Sequence, residues 1–275
     1  MKVPAILLLC SLVSFFYAAE TSTVRSTEEE VFAVDRYALY VASNDGGPSR
    51  VRLRYAGTDA EKLAQTLSEV GGVQSSKSML LIDPTKADID NAFATFSNSI
   101  KTSKVKVRRT EFIFYYSGHS DESSLILGRE SYDYSELKKA LNDVPSDVHV
   151  VMLDSCFSGN FVRTKGGIRQ KPFLMDDSTV VQGHAYLSSS SDVEASQESD
   201  TIQASYFTHA LVTGLRGAAD TSGDKRVSLN ELYHYAFNET LAKTEASIIG
   251  PQHPSYNITL VGSGDLVLTD ITDAE

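Results

Sequence analysis

Two side chains that could act together as nucleophile and base each follow an apolar run. His119 comes after EFIFYYS and a glycine, and Cys156 comes at the end of HVVMLDSC. Only the thiolate form of cysteine is a strong nucleophile, and an imidazole can take the thiol proton and return it to a leaving amine. The two residue types therefore predict nucleophilic catalysis, with Cys156 as the nucleophile and His119 as the base.

Backbone groups beside this pair could stabilise the negative charge that develops during attack. Gly118 and Gly159 carry no side chain and would let a substrate backbone approach closely. The N–H groups of Gly118 and Cys156 are candidates for an oxyanion hole. The spacing of the remaining residues indicates no third side chain that would complete a triad.

The start of the chain bears on how Cys156 is interpreted. A lysine, an apolar run over 3–17 and two alanines are typical of a cleaved secretory signal peptide, predicted over 1–19. The run is short for a membrane span of ~20 residues, so we expect no stable membrane span after cleavage. The second of the two cysteines, Cys10, leaves with this segment. A single thiol in an exported protein is paired between chains, buried and inert, or functional.

Composition sets the class of protein and of partner. The chain is 41% hydrophobic and 22% charged, with a formal net charge of −11 and a pI of about 5.0. These values are typical of a globular protein, and the acidity argues against nucleic acid or an anionic membrane as a partner. An acidic protein is compatible with basic peptides.

Apolar runs and helical periodicities alternate along the chain and would position the two residues. The predicted strands are 36–43, 78–83, 111–120, 149–156, 184–192 and 265–271, and the predicted helices are 57–73, 85–104, 133–144, 205–215 and 229–245. Thr58 or Asp59 is expected to cap the first helix. Continuous apolar strands that alternate with helices indicate an α/β fold with a largely parallel sheet covered on both faces. We expect a flexible lead-in over 20–32 and one domain over 33–275.

Such a sheet would bring the two side chains to one edge. Ligands bind outside the carboxyl ends of the strands in open α/β sheets. His119 and Cys156 both stand at predicted strand ends, and the 37 residues that separate them leave room for one helical crossover. The topology is therefore compatible with one site that contains both residues.

The motifs resemble those of a known superfamily. FYYSGHSDE and MLDSCFSG are similar to the histidine and cysteine motifs of the caspase–metacaspase superfamily of cysteine peptidases, and RYAGTDAEKLAQTLSEVGGV, SSSSDVEASQES and GPQHPSYN resemble other segments of bacterial caspase-like proteins. The resemblance implies a caspase-like three-layer sandwich and a His119–Cys156 dyad that hydrolyses peptide bonds. True caspases carry Gln-Ala-Cys-Arg-Gly at the nucleophile. The sequence DSCFSG is closer to the metacaspase form, with Phe157 where histidine is usual.

The resemblance also implies a specificity. Metacaspases cleave after Arg or Lys, and the acidic residue two positions before their cysteine lines the specificity pocket. Asp154 matches that position, and Asp192 resembles a second acidic pocket residue. A carboxylate pairs well with a guanidinium. The alternative is that Asp154 caps or orients the loop at the end of the strand.

The loop after the cysteine is often a self-cleavage site in this superfamily. In this chain it carries four basic residues, Arg163, Lys165, Arg169 and Lys171. The resemblance therefore implies autoprocessing between residues 160 and 173. The alternative is an ordinary solvated surface loop.

Residues 220–231 form a separate motif, similar to a twelve-residue EF-hand loop. The positions that would supply oxygen ligands hold Asp220, Ser222, Asp224, Arg226 (through its carbonyl), Ser228 and Glu231. Lys225 stands where an EF-hand has glycine. The chemistry at Cys156 requires no cofactor, and calcium is predicted here as a structural or activating ion. The alternative is a plain Asp/Gly turn.

These observations favour an exported cysteine endopeptidase, periplasmic or secreted, that acts on polypeptides. The alternative from another class is a catalytically silent caspase-like module that binds peptides or assembles with partners. A third interpretation is a dimer linked by a disulfide through Cys156. The presence of both His119 and Cys156 favours the enzyme, because a silent relative commonly loses one of the two. The sequence carries no indication of the oligomeric state.

Overall fold

The computed structural model describes residues 34–103, 107, 109–156, 158–159, 161, 181–191, 194–262 and 265–272. The predicted signal peptide and lead-in lie outside these residues. The strands are β1 (Val34–Ser43), β2 (Ser78–Ile82), β3 (Arg109–Gly118), β4 (Ser124–Leu127), β5 (Glu130–Asp133), β6 (Val148–Asp154), β7 (Gln182–Ser188), β8 (Glu198–Ser199), β9 (Ala204–Ser205), β10 (Arg226–Ser228), β11 (Ser255–Val261) and β12 (Val267–Asp270). The α-helices are α1 (Ala56–Glu69), α2 (Lys86–Thr102), α3 (Tyr134–Asp143), α4 (Tyr206–Thr213) and α5 (Leu229–Thr244).

A six-stranded sheet runs through the middle of the molecule in the order β11-β7-β6-β3-β1-β2. Its pairs are parallel except for β11, which runs antiparallel to β7 at one edge. Strands β1, β3 and β6 are buried along almost their whole length. A strand that is buried on both faces needs apolar residues at successive positions, which explains their continuous apolar sequences.

Helices cover both faces of this sheet and separate two apolar cores. Leu63 of α1, Phe207 of α4 and Leu232 of α5 belong to the core on one face. Phe93 of α2 and Leu137 of α3 belong to the core on the other face. The predicted three-layer α/β sandwich with a mostly parallel sheet is therefore confirmed.

The register of the parallel strands aligns their carboxyl ends. Ser43 of β1 pairs with Gly118 of β3, and Ser117 of β3 pairs with Asp154 of β6. Adjacent strands lie about 4.8 Å apart, so the residues that follow these ends share one edge of the sheet. His119 and Cys156 each stand two residues beyond the Ser117–Asp154 pair.

Some strand boundaries differ from the prediction. Strands β3 and β6 each end two residues earlier than predicted, which leaves His119 and Cys156 in loops. Strand β7 ends at Ser188, four residues before the predicted end, because the serines that follow bond to the loop before Cys156. The last predicted strand is β12, which pairs with β10 outside the main sheet, and the edge strand β11 was not predicted.

Within the described residues, the structure contains no helix with the length and apolar character needed to cross a bilayer.

Candidate active site

The loops that carry His119 and Cys156 are in direct contact. The hydroxyl of Ser120 donates a hydrogen bond to the carbonyl oxygen of Cys156. The carbonyl oxygen of His119 accepts from the phenol of Tyr116 at 2.6 Å and from the N–H of Ile126 at 2.9 Å. The structure thus places the two loops that carry these residues in contact, and it holds the backbone of both residues.

A backbone carbonyl orients the imidazole of His119. Its Nε2 lies 2.7 Å from the carbonyl oxygen of Val51. A carbonyl oxygen only accepts, so Nε2 carries the proton and Nδ1 has a lone pair free to receive another. The carbonyl of Val51 thereby fixes both the tautomer and the orientation of the ring. The sequence could not reveal it, because a backbone carbonyl leaves no mark on residue type and the Val51 side chain itself is 84% exposed.

The imidazole also requires a glycine beneath it. A Cβ at Gly46 would lie 2.3 Å from Cδ2 of His119 and 2.8 Å from Cβ of Arg50. Any side chain at this position would displace the ring. Gly46 is therefore a second contributor to the site that the sequence analysis did not single out.

Cys156 is a half-buried free thiol in the described chain. Burial raises the pKa of this thiol, while the N–H groups of Ser196 and of Cys156 itself lower it by pointing at the sulfur. Desolvation penalises the charged thiolate, so the resting group is a neutral thiol at pH 7. A base that removes the proton during attack is therefore needed.

Asp154 lies in a buried network of hydroxyl groups two residues before Cys156. Its side chain is buried, with the whole residue 3% exposed. Ser196 and Thr208 donate hydrogen bonds of 2.6 Å to the carboxylate, and Ser205 donates a third. Three hydroxyl donors on one carboxylate hold the Asp154 side chain in a single orientation.

Asp59 is a second carboxyl group in this network. The prediction that Thr58 or Asp59 caps α1 is wrong: the helix begins before them, at Ala56, and the N–H of Tyr55 donates instead to Glu198 at 3.0 Å. Oδ2 of the fully buried Asp59 accepts from the N–H of Ser205 at 2.9 Å, and Oδ1 has no hydrogen-bond partner among the described residues. Burial, with the nearby charge of Asp154, raises the pKa of Asp59 to about 8.

The structure describes only some of the other predicted site residues. Gly118 ends β3 opposite Ser43, and an added Cβ would lie 2.4 Å from the hydroxyl oxygen of Tyr116. Its role in an oxyanion hole stays a prediction. Several residues lie outside the described residues, namely Asp192, Phe157 and the basic residues Arg163, Lys165, Arg169 and Lys171.

The EF-hand-like loop lies between α4 and α5, where its carboxylates bond to its own backbone. Asp220 accepts from the N–H groups of Gly223 and Lys225 at 2.7 and 3.0 Å. Glu231 accepts from the N–H groups of Ser222 and Ser228, both at 3.0 Å. Lys225 has a φ of 62°, so the sixth position makes the left-handed turn that glycine makes in an EF-hand.

A third carboxylate of the loop, that of Asp224, is bonded to the loop backbone in the same way. Asp224 accepts from the N–H of Arg226 at 2.9 Å. In the described part of the chain no three His, Cys, Asp or Glu side chains are grouped as a metal would need. Calcium would have to replace backbone donors on Asp220 and Glu231, and its binding stays a prediction. A cavity of about 570 Å³ lies beside this loop, and none of its lining residues belongs to the site around Cys156.

Comparison with known proteins agrees with the fold. Residues 35–262 match the family described as the caspase domain. The chain therefore belongs to the caspase domain family, a peptidase family, which implies a polypeptide substrate. The crystal structure of caspase-1 from Spodoptera frugiperda is similar over 87% of this chain and 91% of that chain, with a TM-score of 0.60 and 12% sequence identity. At this identity the likeness shows the fold. No curated protein matches the sequence significantly.

Proposed function

We propose that the protein is an exported cysteine endopeptidase that cleaves polypeptides after basic residues through Cys156 and His119. The observation that carries the proposal is the matched position of the two residues beyond β3 and β6, with the loops joined by Ser120. The hydrogen bond of His119 to Val51 supports the role of base, because it leaves Nδ1 free.

The proposed reaction begins with transfer of the thiol proton of Cys156 to Nδ1 of His119 as Sγ bonds to the scissile carbonyl carbon. The carbonyl electron pair moves onto oxygen, where the N–H groups of Cys156 and Gly118 stabilise the charge. The C–N bond then breaks, and the imidazolium gives its proton to the leaving amine. Water attacks the resulting thioester, with His119 again as base, and the C–S bond breaks to restore the thiol.

The buried acid pair Asp154 and Asp59 supports a preference for arginine or lysine before the cut. Asp154 and Asp59 both contact Ser205, so their carboxyl groups share one buried region. Oδ1 of Asp59 would gain a donor from a guanidinium, and a nearby cation would favour ionisation of that carboxyl. Asp192 is proposed as a further pocket residue on the resemblance alone.

The specificity is tested with four fluorogenic peptides that differ only in the residue before the cut: Arg, Lys, Asp and Ala. We expect kcat/KM for Arg and Lys to exceed that for Asp by at least about 100-fold. The Asp side chain of the substrate would bring a second carboxylate beside that of Asp154 in a buried region, which costs several kcal/mol. Equal cleavage of the Arg and Asp peptides would contradict the specificity and leave the peptidase proposal intact.

Two further proposals, on export and on self-cleavage, rest on the sequence. Residues 1–19 direct export, and the mature protein begins near residue 20; an exported protein that retains Met1 would contradict this. Arg163, Lys165, Arg169 and Lys171 mark a self-cleavage segment, so the wild type is nicked there and Cys156→Ala is not. Identical intact bands would argue against self-cleavage.

Calcium is proposed as a structural or activating ion at residues 220–231. Asp220, Asp224 and Glu231 would hold it with the oxygens of Ser222, Arg226 and Ser228, and it would join the ends of α4 and α5. Isothermal titration of the chelator-treated protein should give calcium heat that is lost in Asp220→Asn. An absence of heat in the wild type would remove the proposal.

A further inference from the structure

Three hydroxyl groups converge on the carbonyl oxygen of Ser155, immediately before the nucleophile. Ser158, Ser190 and Ser189 donate to it at 2.7, 3.0 and 3.2 Å. We call these three residues the serine cluster. All of them are buried, and Ser155 itself is 1% exposed. Three donors on one carbonyl are more than the two lone pairs of a carbonyl ordinarily accept, which marks this peptide group as unusually constrained.

The serine cluster is itself rigidly held. The N–H of Ser189 donates to the carbonyl of Leu153 at 2.8 Å, and its own carbonyl accepts from Nε2 of Gln252 at 2.7 Å. The hydroxyl of Ser189 also accepts from the N–H of Ser155 at 3.0 Å. The N–H and the carbonyl of Ser155 are thus both bonded to Ser189, whose own backbone is held by Leu153 and Gln252.

This constraint determines where the N–H of Cys156 points. The peptide between Ser155 and Cys156 is trans, so its N–H is directed opposite to the Ser155 carbonyl. The hydrogen bonds from the buried serine cluster orient that carbonyl toward the interior of the protein. The N–H of Cys156 accordingly points to the side of the sulfur, where it lowers the pKa of the thiol.

We propose that Ser158, Ser189 and Ser190 are positioning residues that aim the N–H of Cys156 at the oxyanion formed during peptide cleavage. Their hydrogen bonds also polarise the Ser155–Cys156 amide, which makes its N–H a stronger donor. The inference rests on the proposed peptidase activity. It adds that the serines after β7 act on the transition state through the backbone, without touching the substrate.

The test uses Ser189→Ala, Ser190→Ala and the double variant in the mature chain. Three quantities are measured: kcat and KM on the Arg peptide, the inhibition constant of a peptide aldehyde, and the rate of alkylation of Cys156 by iodoacetamide against pH. The aldehyde forms a tetrahedral adduct that needs the oxyanion donor, whereas alkylation does not. Thr269→Val is the control, since it removes an equally buried hydroxyl that donates to the carbonyl of Leu215 at 2.8 Å and not to the nucleophile loop.

We expect each single alanine to lower kcat about tenfold with KM changed less than about twofold, a smaller loss than the ~100-fold that follows removal of an oxyanion donor itself. Affinity for the aldehyde should fall in parallel with kcat. The pH midpoint of alkylation should rise slightly, because a misdirected N–H of Cys156 lowers the thiol pKa less, and the alkylation rate above that midpoint should match the wild type. Ser189→Thr and Ser190→Thr, which keep the hydroxyl, should restore kcat.

Two results would overturn the inference while the wild type remains an active peptidase. One is unchanged kcat in both alanine variants. The other is a loss of alkylation as large as the loss of kcat, which would mean that the loop has merely lost its fold. A wild type that is alkylated at Cys156 but neither cleaves peptides nor binds the aldehyde would instead overturn the proposed function.

Discussion

Nε2 of His119 lies 2.7 Å from the carbonyl oxygen of Val51. This hydrogen bond fixes both the orientation of the imidazole and the nitrogen that carries the proton. The free Nδ1 is then the only ring atom able to take the proton of Cys156. The proposed mechanism therefore needs no carboxylate as a third member, and it predicts that contacts that hold the ring against Val51 control the rate.

Gly46→Ala should displace the ring of His119. The new Cβ would lie 2.3 Å from Cδ2, closer than non-bonded carbon atoms approach. We predict a fall in kcat of at least about tenfold, typical of a lost general base. Gly57→Ala is the control, because its nearest neighbour is Nδ2 of Asn44 at an ordinary 3.4 Å. Similar kinetics for the two variants would contradict the prediction.

Ser120→Ala should separate the two catalytic loops by removing the donor to the carbonyl of Cys156. A neutral hydrogen bond contributes ~1 kcal/mol, so we predict a fall in kcat of about five- to tenfold. Ser120→Thr should retain most of the activity. Ser123→Ala is the matched control, since its exposed hydroxyl bonds Asp121 at 3.2 Å. A loss shared by both alanine variants would indicate a general effect on this segment.

Cys156 should titrate at a higher pH in the folded protein than in the unfolded chain. Burial raises its pKa, and this outweighs the lowering by the N–H of Ser196. Iodoacetamide alkylation of residues 20–275, which contain this single thiol, is measured against pH in buffer and in urea. The prediction fails when the midpoint in buffer is the lower of the two, as it would be for a preformed thiolate–imidazolium pair.

The sequence predicted the central strands because burial on both faces leaves continuous apolar runs in β1, β3 and β6. It did not predict β11, whose exposed positions interrupt the apolar pattern at the sheet edge. The sequence also predicted that β7 continues through 189–192. Serines at the end of a strand do not mark its boundary unless the partners of their hydroxyl groups are known. Those partners lie on a loop more than thirty residues earlier in the chain.

Residue type alone singled out the candidate residues of the site that carry reactive side chains. It missed the residues that contribute through their position in the fold. His119 and Cys156 stood out by residue type and by their place after apolar runs. Asp59 looked like a helix cap because an acid near a helix start usually is one. Only the fold reveals that it faces Asp154 across Ser205. The contribution of Val51 comes from its backbone, so its residue type carries no signal.

Asp59→Asn should stabilise the protein, increasingly so as the pH rises. The pKa of Asp59 is about 8 in the folded protein and ~3.9 in an unfolded chain. Between these values the folded state binds more protons, so the wild type loses stability as pH rises from about 4 to about 8. The asparagine variant lacks this loss. Its gain in Tm should therefore be small at pH 4, grow to pH 8 and stay constant above it.

Asp88→Asn is the control of opposite sign for this measurement. Asp88 accepts from the N–H of Thr85 at 2.9 Å at the start of α2, and these hydrogen bonds lower its pKa. Its ionised form stabilises the fold above the unfolded pKa, so the asparagine variant should lose stability at neutral pH and match the wild type in strong acid. A gain for Asp59→Asn that does not depend on pH would contradict the account of that residue.

The most direct test of the central claim is cleavage of a peptide library by residues 20–275, compared with the Cys156→Ala and His119→Ala variants. We predict that the wild type cuts after Arg and Lys and that neither variant produces these fragments above the uncatalysed rate. Fragments that Cys156→Ala produces at the wild-type rate would contradict the assignment of the nucleophile, and with it the proposed peptidase.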